Sequence, residues 1–334
     1  MKSINFILIN GYGWSGSSAV VDLLKEYDTN YVPTKEFRLI KDPHGLIDLD
    51  RALTNPIDAL NEDIAIREFC WFSNIYFNKP SKFKKVALGY SNDFGKDIKT
   101  ITKKYLASIV TYEYKGYWWY LDMWFSNTKA FLLKVLRKLH IYNHREHTKM
   151  KLMINNEENF IKKTKSYLDE MFNFAINENI TNVVLDQAIP ANRSDLANRY
   201  FNSYKIIIVD RDPRDVYVDL IKEKSLVGYD VAINHDVELF VKWFKKVRTE
   251  YSTYDCKNVL KIRFEQLIND YDAVLEQVEH FLGLLPSSHI YKMAFLNPNN
   301  SKKNIGMWKE YPYQNEIRKI EEELSEYLPN FKKE

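Results

Sequence analysis

The stretch INFILINGYGWSGSS, residues 4–18, determines the fold that we predict for this chain. Residues 4–9 form a short and mostly apolar run, which is typical of a strand buried on both faces. Gly13 and Gly16 then permit a tight turn, and apolar residues recur at helical spacing across residues 20–27. The sequence therefore predicts a strand, a glycine-rich turn and a helix in direct succession.

The predicted turn has the chemistry of a phosphate-binding loop. Backbone N–H groups at the start of a helix, together with the helix dipole, attract an anion. The residues that we assign to this loop are Gly13, Trp14, Ser15, Gly16, Ser17 and Ser18. Their spacing matches the nucleotide-binding pattern G-x-x-x-x-G-K-[ST] except at Ser17, which replaces the lysine and argues against hydrolysis of ATP or GTP. A plain capped turn, or a P-loop kinase of a small molecule, is the alternative.

Three further apolar runs follow, at residues 183–185, 206–209 and 259–264, with helical patterns between and after them. Strands that alternate with helices predict a parallel sheet covered by helices on both faces. We therefore predict an α/β fold with a P-loop-like central parallel sheet, built as a single domain over residues 1–334.

The stretch from about residue 70 to 165 interrupts this alternation. It is dense in aromatic residues, and a basic run follows from Lys129 to Lys151. We predict a largely helical insertion that binds the acceptor substrate, although aromatic residues in such a stretch also commonly form a core. Rings that stay exposed suit stacking on sugars, and the basic run suits an anionic glycan.

Composition excludes several classes of protein. The net charge of +3 is too small to argue for a nucleic-acid partner. Two cysteines provide neither a disulfide framework nor a thiolate zinc site, and the histidines at positions 140, 144 and 147 lack a supporting Cys or Asp cluster, so we expect no metal. No run of 18 apolar residues predicts a membrane-spanning helix, and we expect a cytoplasmic protein.

Two basic motifs lie further along the chain. Arg211 ends the run at 206–209 and precedes Asp212 and Pro213, which form a good helix start. It therefore belongs at the carboxyl edge of the sheet, where open parallel sheets bind ligands; helix capping with surface ion pairs is the alternative. Lys302 and Lys303 lie in a polar loop that could close over an anion, or that is simply solvated.

Together, and in this order, the motifs resemble the family of sulfotransferases that depend on 3′-phosphoadenosine 5′-phosphosulfate. The glycine–serine turn is similar to the family's 5′-phosphosulfate loop, and the strand ending at Arg211 is similar to its 3′-phosphate motif. Residues 261–267 resemble the next strand, and residues 302–309 resemble its R-K-G-x-x-G-x-W-K loop. The resemblance implies an enzyme that transfers a sulfuryl group from this donor to a hydroxyl.

The chain departs from the family pattern at several positions. Trp14 replaces a lysine or arginine that assists the leaving phosphate, and Lys35, Arg38 and Lys41 are the candidates to replace that cation. Asp219 stands where the family has a serine, eight residues after the arginine, and we expect it to lie at the donor site. A sulfotransferase-like binding protein without catalytic activity is therefore an alternative.

Glu36 lies in the sequence Thr-Lys-Glu-Phe-Arg, similar to the context of the catalytic glutamate in carbohydrate sulfotransferases of the glycosaminoglycan type. The resemblance implies that Glu36 is the general base, with His44 as the rival; an ion pair of Glu36 to a neighbouring cation is the alternative. The acceptor expected is a carbohydrate or glycolipid. A further expectation is peripheral membrane contact through Trp118, Trp119 and Trp124 beside the basic run.

Overall fold

The computed structural model describes residues 4–55, 57–78, 93–95, 97–153, 156–225, 227–250 and 257–329. The chain forms two compact units, one of residues 1–38 with 172–334 and the other of residues 39–171. The second unit begins earlier than the insertion expected from about residue 70. The limits of that insertion stay a prediction, and so does the assignment of residues 1–334 to a single domain.

The described strands form two sheets. A five-stranded sheet in the first unit has the order β2-β5-β1-β6-β7, and every neighbouring pair in it is parallel. In the second unit β3 and β4 form an antiparallel pair. The strands are β1 Asn5–Gly11, β2 Asn30–Tyr31, β3 Tyr112–Lys115, β4 Lys149–Leu152, β5 Asn182–Asp186, β6 Tyr204–Asp210 and β7 Val259–Arg263.

Helices surround these strands in both units. The described α-helices are α1 Ser17–Leu24, α2 Leu46–Thr54, α3 Ala59–Tyr76, α4 Ile98–Ile109, α5 Asn127–Lys138, α6 His144–His147, α7 Glu157–Phe172, α8 Leu196–Tyr200, α9 Pro213–Glu223, α10 Gly228–Asn234, α11 Val237–Arg248, α12 Phe264–Asn269, α13 Tyr271–Leu282, α14 Pro298–Ser301 and α15 Gln314–Glu323. Among the described residues no helix is both long enough and apolar enough to cross a bilayer.

The central strand β1 is buried on both sides because successive side chains point to opposite faces of the sheet. Ile7 and Ile9 pack into a core with α1, α12 and α13. Phe6 points to the other face, where its ring lies 5.9 Å from Phe172 and 4.8 Å from Phe201. The predicted α/β fold, a central parallel sheet with helices around it, is confirmed, and all four predicted strands are present.

The second unit is mainly helical, and the buried Asp63 finds its partners inside this unit. Asp63, on α3, is buried, pairs with Arg67 at 2.7 Å and accepts a hydrogen bond from the backbone N–H of Lys151 on β4. The rings of Tyr105 and Tyr167 stack at 4.3 Å in the core. Many aromatic residues of this region are thus core, whereas Trp71, Trp118 and Trp119 stay exposed.

Candidate functional site

The loop between β1 and α1 adopts a backbone that requires glycine. Gly13 and Gly16 have φ values of 88° and 82°, in the left-handed region that side chains disfavour. At Gly16 a Cβ atom would lie 2.5 Å from the Phe264 ring. The close approach of the loop to α12 therefore depends on the absence of a side chain at Gly16.

The serines of the loop have separate roles. Ser15 is buried, and its Oγ accepts a hydrogen bond from the backbone N–H of Tyr12 at 3.2 Å. The Ser17 Oγ accepts from Gln187 Nε2 at 3.2 Å, and Ser18 is exposed. No side chain caps the start of α1. The amino end of this eight-residue helix can therefore offer N–H groups to an anion.

Trp14 places an indole where the resemblance expects a cation. Its ring lies edge-on to Trp243 of α11 at 5.8 Å and packs against the core formed by α9, α11 and α15. The backbone carbonyl of Trp14 accepts a hydrogen bond from Arg211 Nη1 at 3.1 Å. Trp14 therefore contributes packing and a carbonyl to the site, and no charge.

Arg211 joins the separate elements of the site. It follows directly on β6 and is only 4% exposed. Its Nη1 donates to Asp219 Oδ2 at 2.5 Å, and its Nη2 donates to the carbonyl oxygen of Asn304 at 2.5 Å. Its Nε is buried and has no hydrogen-bond partner among the described residues. The buried guanidinium thus connects the loop, α9 and the segment 302–309.

Asp219 compensates the charge of Arg211. It lies on α9, its side chain is 25% exposed, and it forms an ion pair with the buried guanidinium. A carboxylate at this position occupies one face of the arginine that an anionic ligand would use. The ligand must therefore share Arg211 with Asp219 or displace it.

Asp215 fixes the segment 302–309 to the start of α9. Its two carboxylate oxygens accept the backbone N–H groups of Gly306 at 2.8 Å and of Trp308 at 3.2 Å. Burial nevertheless raises the pKa of Asp215 to about 6, although both hydrogen bonds oppose the shift. The guanidinium of Arg214 lies 3.8 Å from the Trp308 ring centroid and adds a cation–π contact.

Lys302 and Lys303 begin this segment, and they differ from Arg211 in burial and in side-chain contacts. Both are exposed, and neither side chain forms a hydrogen bond or ion pair with another residue that the structure describes. The next residue, Asn304, places its carbonyl oxygen on Arg211. The lysine pair is therefore held beside the buried arginine by the backbone, with its ammonium groups exposed to solvent.

Glu36 lies in a segment that runs along the same edge of the sheet as the loop. The backbone N–H of Phe37 donates to the carbonyl oxygen of Asp186, the last residue of β5, at 2.7 Å. Gln187, which directly follows Asp186, donates a hydrogen bond to Ser17 of the loop. The Glu36 side chain is 48% exposed and accepts a hydrogen bond from Arg38 Nη1 at 3.0 Å.

His44 and Lys41 lie in the unit of residues 39–171 and not in the unit that contains the loop. His44 Nδ1 lies 3.1 Å from Glu68 Oε2. The described residues contain no group of three His, Cys, Asp or Glu that could hold a metal ion, and the absence of a metal from the reaction stays a prediction.

Sequence reasoning missed three residues at this edge of the sheet. Gln187 reaches Ser17 from a left-handed backbone position, with φ of 58°. Asp210, next to Arg211, pairs with Arg248 at 2.7 Å, and that guanidinium lies 4.6 Å from the Tyr12 ring centroid. Gln187 could have been found because it follows a predicted strand, whereas Arg248, on α11, carries no such signal.

Comparison with known proteins identifies the family. The model of the sulfotransferase domain matches residues 109–319, which is more than half of the chain and includes Arg211, Asp219 and the lysine pair. The match begins after the glycine–serine loop. No curated protein matches this chain.

Solved structures show a more distant likeness. The sulfotransferase domain of the Synechococcus PCC 7002 olefin synthase is 14% identical, with 98% of each chain covered and a TM-score of 0.42. The sulfotransferase domain from the curacin biosynthetic pathway is 16% identical, with 98% of this chain and 99% of that chain covered and a TM-score of 0.42. Retinol dehydratase in complex with androsterone and inactive cofactor PAP is 13% identical, with 99% of this chain and 82% of that chain covered and a TM-score of 0.38.

These identities and TM-scores are too low to transfer an activity. The family match alone confirms the family and the enzyme class expected from the motifs. The chain belongs to the sulfotransferase domain family.

Proposed function

We propose that the protein transfers a sulfuryl group from 3′-phosphoadenosine 5′-phosphosulfate to a hydroxyl of a carbohydrate or glycolipid. The contacts of Arg211 are the observation that carries this proposal. This buried guanidinium contacts the glycine–serine loop through Trp14 and the lysine segment through Asn304. Two anion-binding elements therefore lie within reach of one ligand, and a nucleotide with phosphates at both its 3′ and 5′ positions fits that arrangement.

In the proposed complex the loop holds the 5′-phosphosulfate. The uncapped amino end of α1 and the hydroxyls of Ser15, Ser17 and Ser18 supply its hydrogen-bond donors. Arg211 binds the 3′-phosphate by charge-assisted hydrogen bonds, and Asp219 gives up part of its ion pair to permit this. Lys302 and Lys303 close over the same phosphate, and their exposed ammonium groups lose no existing ion pair.

In the proposed reaction the acceptor hydroxyl attacks sulfur in line with the bond to the 5′-phosphate. Glu36 takes the proton of that hydroxyl as the new oxygen–sulfur bond forms. The sulfur–oxygen bond to the phosphate breaks, and 3′,5′-bisphosphoadenosine leaves with the bonding electrons. Helix N–H groups stabilise the charge that develops on the leaving phosphate. Because Trp14 carries no charge, Lys35 and Arg38 are the candidates to assist that phosphate from the same unit.

The carbohydrate acceptor is proposed on the aromatic residues of the unit 39–171. Trp71, on α3, is 48% exposed. Large exposed rings offer flat apolar surfaces with a polar edge, which suits the faces of sugar rings. Other aromatic residues of the unit, such as Phe69 and Tyr105, are buried and cannot serve this purpose.

A binding protein without catalytic activity is the second candidate. The ion pair between Arg211 and Asp219, together with an indole at Trp14, is compatible with a chain that binds the nucleotide but transfers nothing. In that case the donor would bind and no sulfated product would form.

An activity assay tests the proposed function. The protein is incubated with the phosphosulfate donor and a panel of oligosaccharides and glycolipids, and products are followed by mass spectrometry. We expect an acceptor that gains one sulfuryl group in equal amount with released 3′,5′-bisphosphoadenosine. Transfer of a phosphoryl group from ATP with magnesium would establish the small-molecule kinase instead.

A further inference from the structure

Helix α5, Asn127–Lys138, has a large apolar surface that the described residues of its own unit leave exposed. None of its residues is buried. Phe131, Leu132, Val135 and Leu139 recur at helical spacing, which places them on one face, and they are 68%, 56%, 37% and 60% exposed. We call this face, from Phe131 to Leu139, the α5 apolar stripe.

A helix of this length requires support from packing. Isolated helices shorter than about 12–15 residues are marginal in water, and most helices in proteins are stabilised by burying an apolar face. The 12 residues of α5 have a serine cap at Ser126 and basic residues in the last turn, which contribute only modestly. The α5 apolar stripe therefore requires a binding partner that covers it.

Between Asp122 and Glu146, the charged side chains are all of one sign. Residues 123–145 contain five lysines and arginines and no aspartate or glutamate: Lys129, Lys134, Arg137, Lys138 and Arg145. All five side chains are exposed. An apolar stripe flanked by exposed cations is the pattern of a helix that lies in the interface of an anionic bilayer, because long basic side chains bury their stems and reach the headgroups.

Two neighbouring tryptophans add to this pattern. Both precede α5 in the chain and are exposed: Trp119 begins the 3-10 helix Trp119–Trp124, and Trp118 lies directly before it. Indole rings favour the boundary between water and lipid. At 1.5 Å per residue α5 is roughly 18 Å long, too short to span a bilayer and long enough to lie along its surface.

We propose that α5, with Trp118 and Trp119, binds the surface of an anionic lipid bilayer. A second copy of the chain fits the surface less well, because a two-fold contact would place five cations against five cations. An anionic bilayer instead offers negative headgroups to the lysines and an apolar layer to Phe131 and Leu132. The proposal concerns binding, and it does not depend on sulfuryl transfer.

The experiment measures binding of the full chain to vesicles by cosedimentation. Vesicles of phosphatidylcholine alone are compared with vesicles that also contain phosphatidylserine, at low and at high salt. We expect binding to the phosphatidylserine vesicles only, weakened by salt. Equal binding to both, or binding to neither, overturns the proposal.

Paired variants locate the surface. Lys134→Glu with Lys138→Glu should weaken binding by at least roughly tenfold, because each cation near an anionic surface contributes about a factor of five. The matched control, Lys103→Glu with Lys162→Glu, changes the net charge equally on exposed positions of α4 and α7, and binding should change by less than about twofold. Equal loss in both pairs would show that only net charge matters and would contradict the proposal.

A third variant separates lipid from other partners. Phe131→Ser with Leu139→Ser keeps every charge, replaces only exposed side chains, and should also weaken vesicle binding; circular dichroism verifies the fold. Unchanged vesicle binding in this variant would overturn the proposal that α5 binds the bilayer through its apolar stripe. A concentration-dependent dimer that this variant dissociates, seen by analytical ultracentrifugation without vesicles, would assign the stripe to a second copy and overturn the proposal.

Discussion

The two ends of the candidate donor site would bind a phosphate in different ways. At the glycine–serine loop, donors come from the backbone and from hydroxyls, and the indole of Trp14 stands where the family has a cation. At the other end a buried guanidinium already has a carboxylate partner, Asp219. The loop can accept a phosphate without losing an interaction, whereas Arg211 must exchange one. Loss of Arg211 should therefore weaken donor binding, whereas loss of its carboxylate partner Asp219 should strengthen it.

The largest effect is expected at Glu36, beside the loop. A general base contributes typically about 10²–10⁴-fold to the rate. Glu36→Gln should lower turnover by at least about a hundredfold, and it should leave donor affinity unchanged because no phosphate contact is lost. The measurement is steady-state turnover with a calorimetric titration of the donor product. Glu178→Gln, an exposed glutamate of the same unit, is the control; near-normal turnover of Glu36→Gln would move the base elsewhere.

The second effect concerns Asp215 and the pH dependence of stability. Its pKa rises on folding from 3.8 to about 6 because of burial, so the folded state binds the proton more tightly than the unfolded state. The contribution of Asp215 to the free energy of unfolding is therefore fully present below about pH 4. It is lost as pH rises through about 6, a change of up to about 3 kcal/mol.

Asp215→Asn removes this titration. The unfolding free energy of the native chain minus that of the variant, measured in urea at a series of pH values, should fall as pH rises from about 4 to about 6. A difference that stays constant across this window would show that the carboxyl of Asp215 is not perturbed by burial.

The third effect is the loss of Arg211. Removing a charge-assisted hydrogen bond costs about 1.5–3 kcal/mol, so Arg211→Ala should weaken 3′,5′-bisphosphoadenosine about ten- to a hundredfold. AMP, which lacks the 3′-phosphate, should lose much less. The control is Arg318→Ala, an exposed arginine of α15. Equal losses for the two nucleotides in calorimetric titrations would make Arg211 a structural residue.

The smallest effect is a gain, at Asp219. Asp219→Ser removes the carboxylate that competes for Arg211 and restores the residue type of the family. We expect affinity for 3′,5′-bisphosphoadenosine to rise by up to about fivefold, because one modest ion pair is worth up to about 1 kcal/mol, and affinity for AMP to stay unchanged. Asp230→Ser, an exposed aspartate of α10, is the control. Weaker binding of the bisphosphate would show that Asp219 supports the site through Arg211.

Local sequence predicts most of the fold in the unit that carries the site. The four strands and the loop are predicted because each depends on a contiguous pattern of apolar residues and glycines. The edge strand β2 has only two residues, Asn30 and Tyr31, and so has no apolar run to find. The start of the second unit near residue 39 also has no signal in the sequence, because the apolar spacing of α2 resembles that of any amphipathic helix.

The contacts of the site are harder to predict than its positions. Arg211 and the lysine pair were recognised from motifs, but the hydrogen bond from Arg211 to Asn304 joins residues 93 positions apart. Asp215 lies in the first turn of α9, yet its carboxylate accepts two N–H groups of the distant segment 302–309. Such contacts depend on how distant segments meet, which periodicity and spacing do not encode.

One measurement tests the central claim, that the site is built for a nucleotide with both 3′- and 5′-phosphates. The thermal unfolding midpoint is recorded with equal concentrations of 3′,5′-bisphosphoadenosine, AMP, and ATP with magnesium. A ligand that binds only the folded state stabilises it by about 2.7 kcal/mol at a hundred times its Kd. We predict the largest increase in Tm with 3′,5′-bisphosphoadenosine. A larger increase with ATP and magnesium, or an equal one with AMP, would contradict the account.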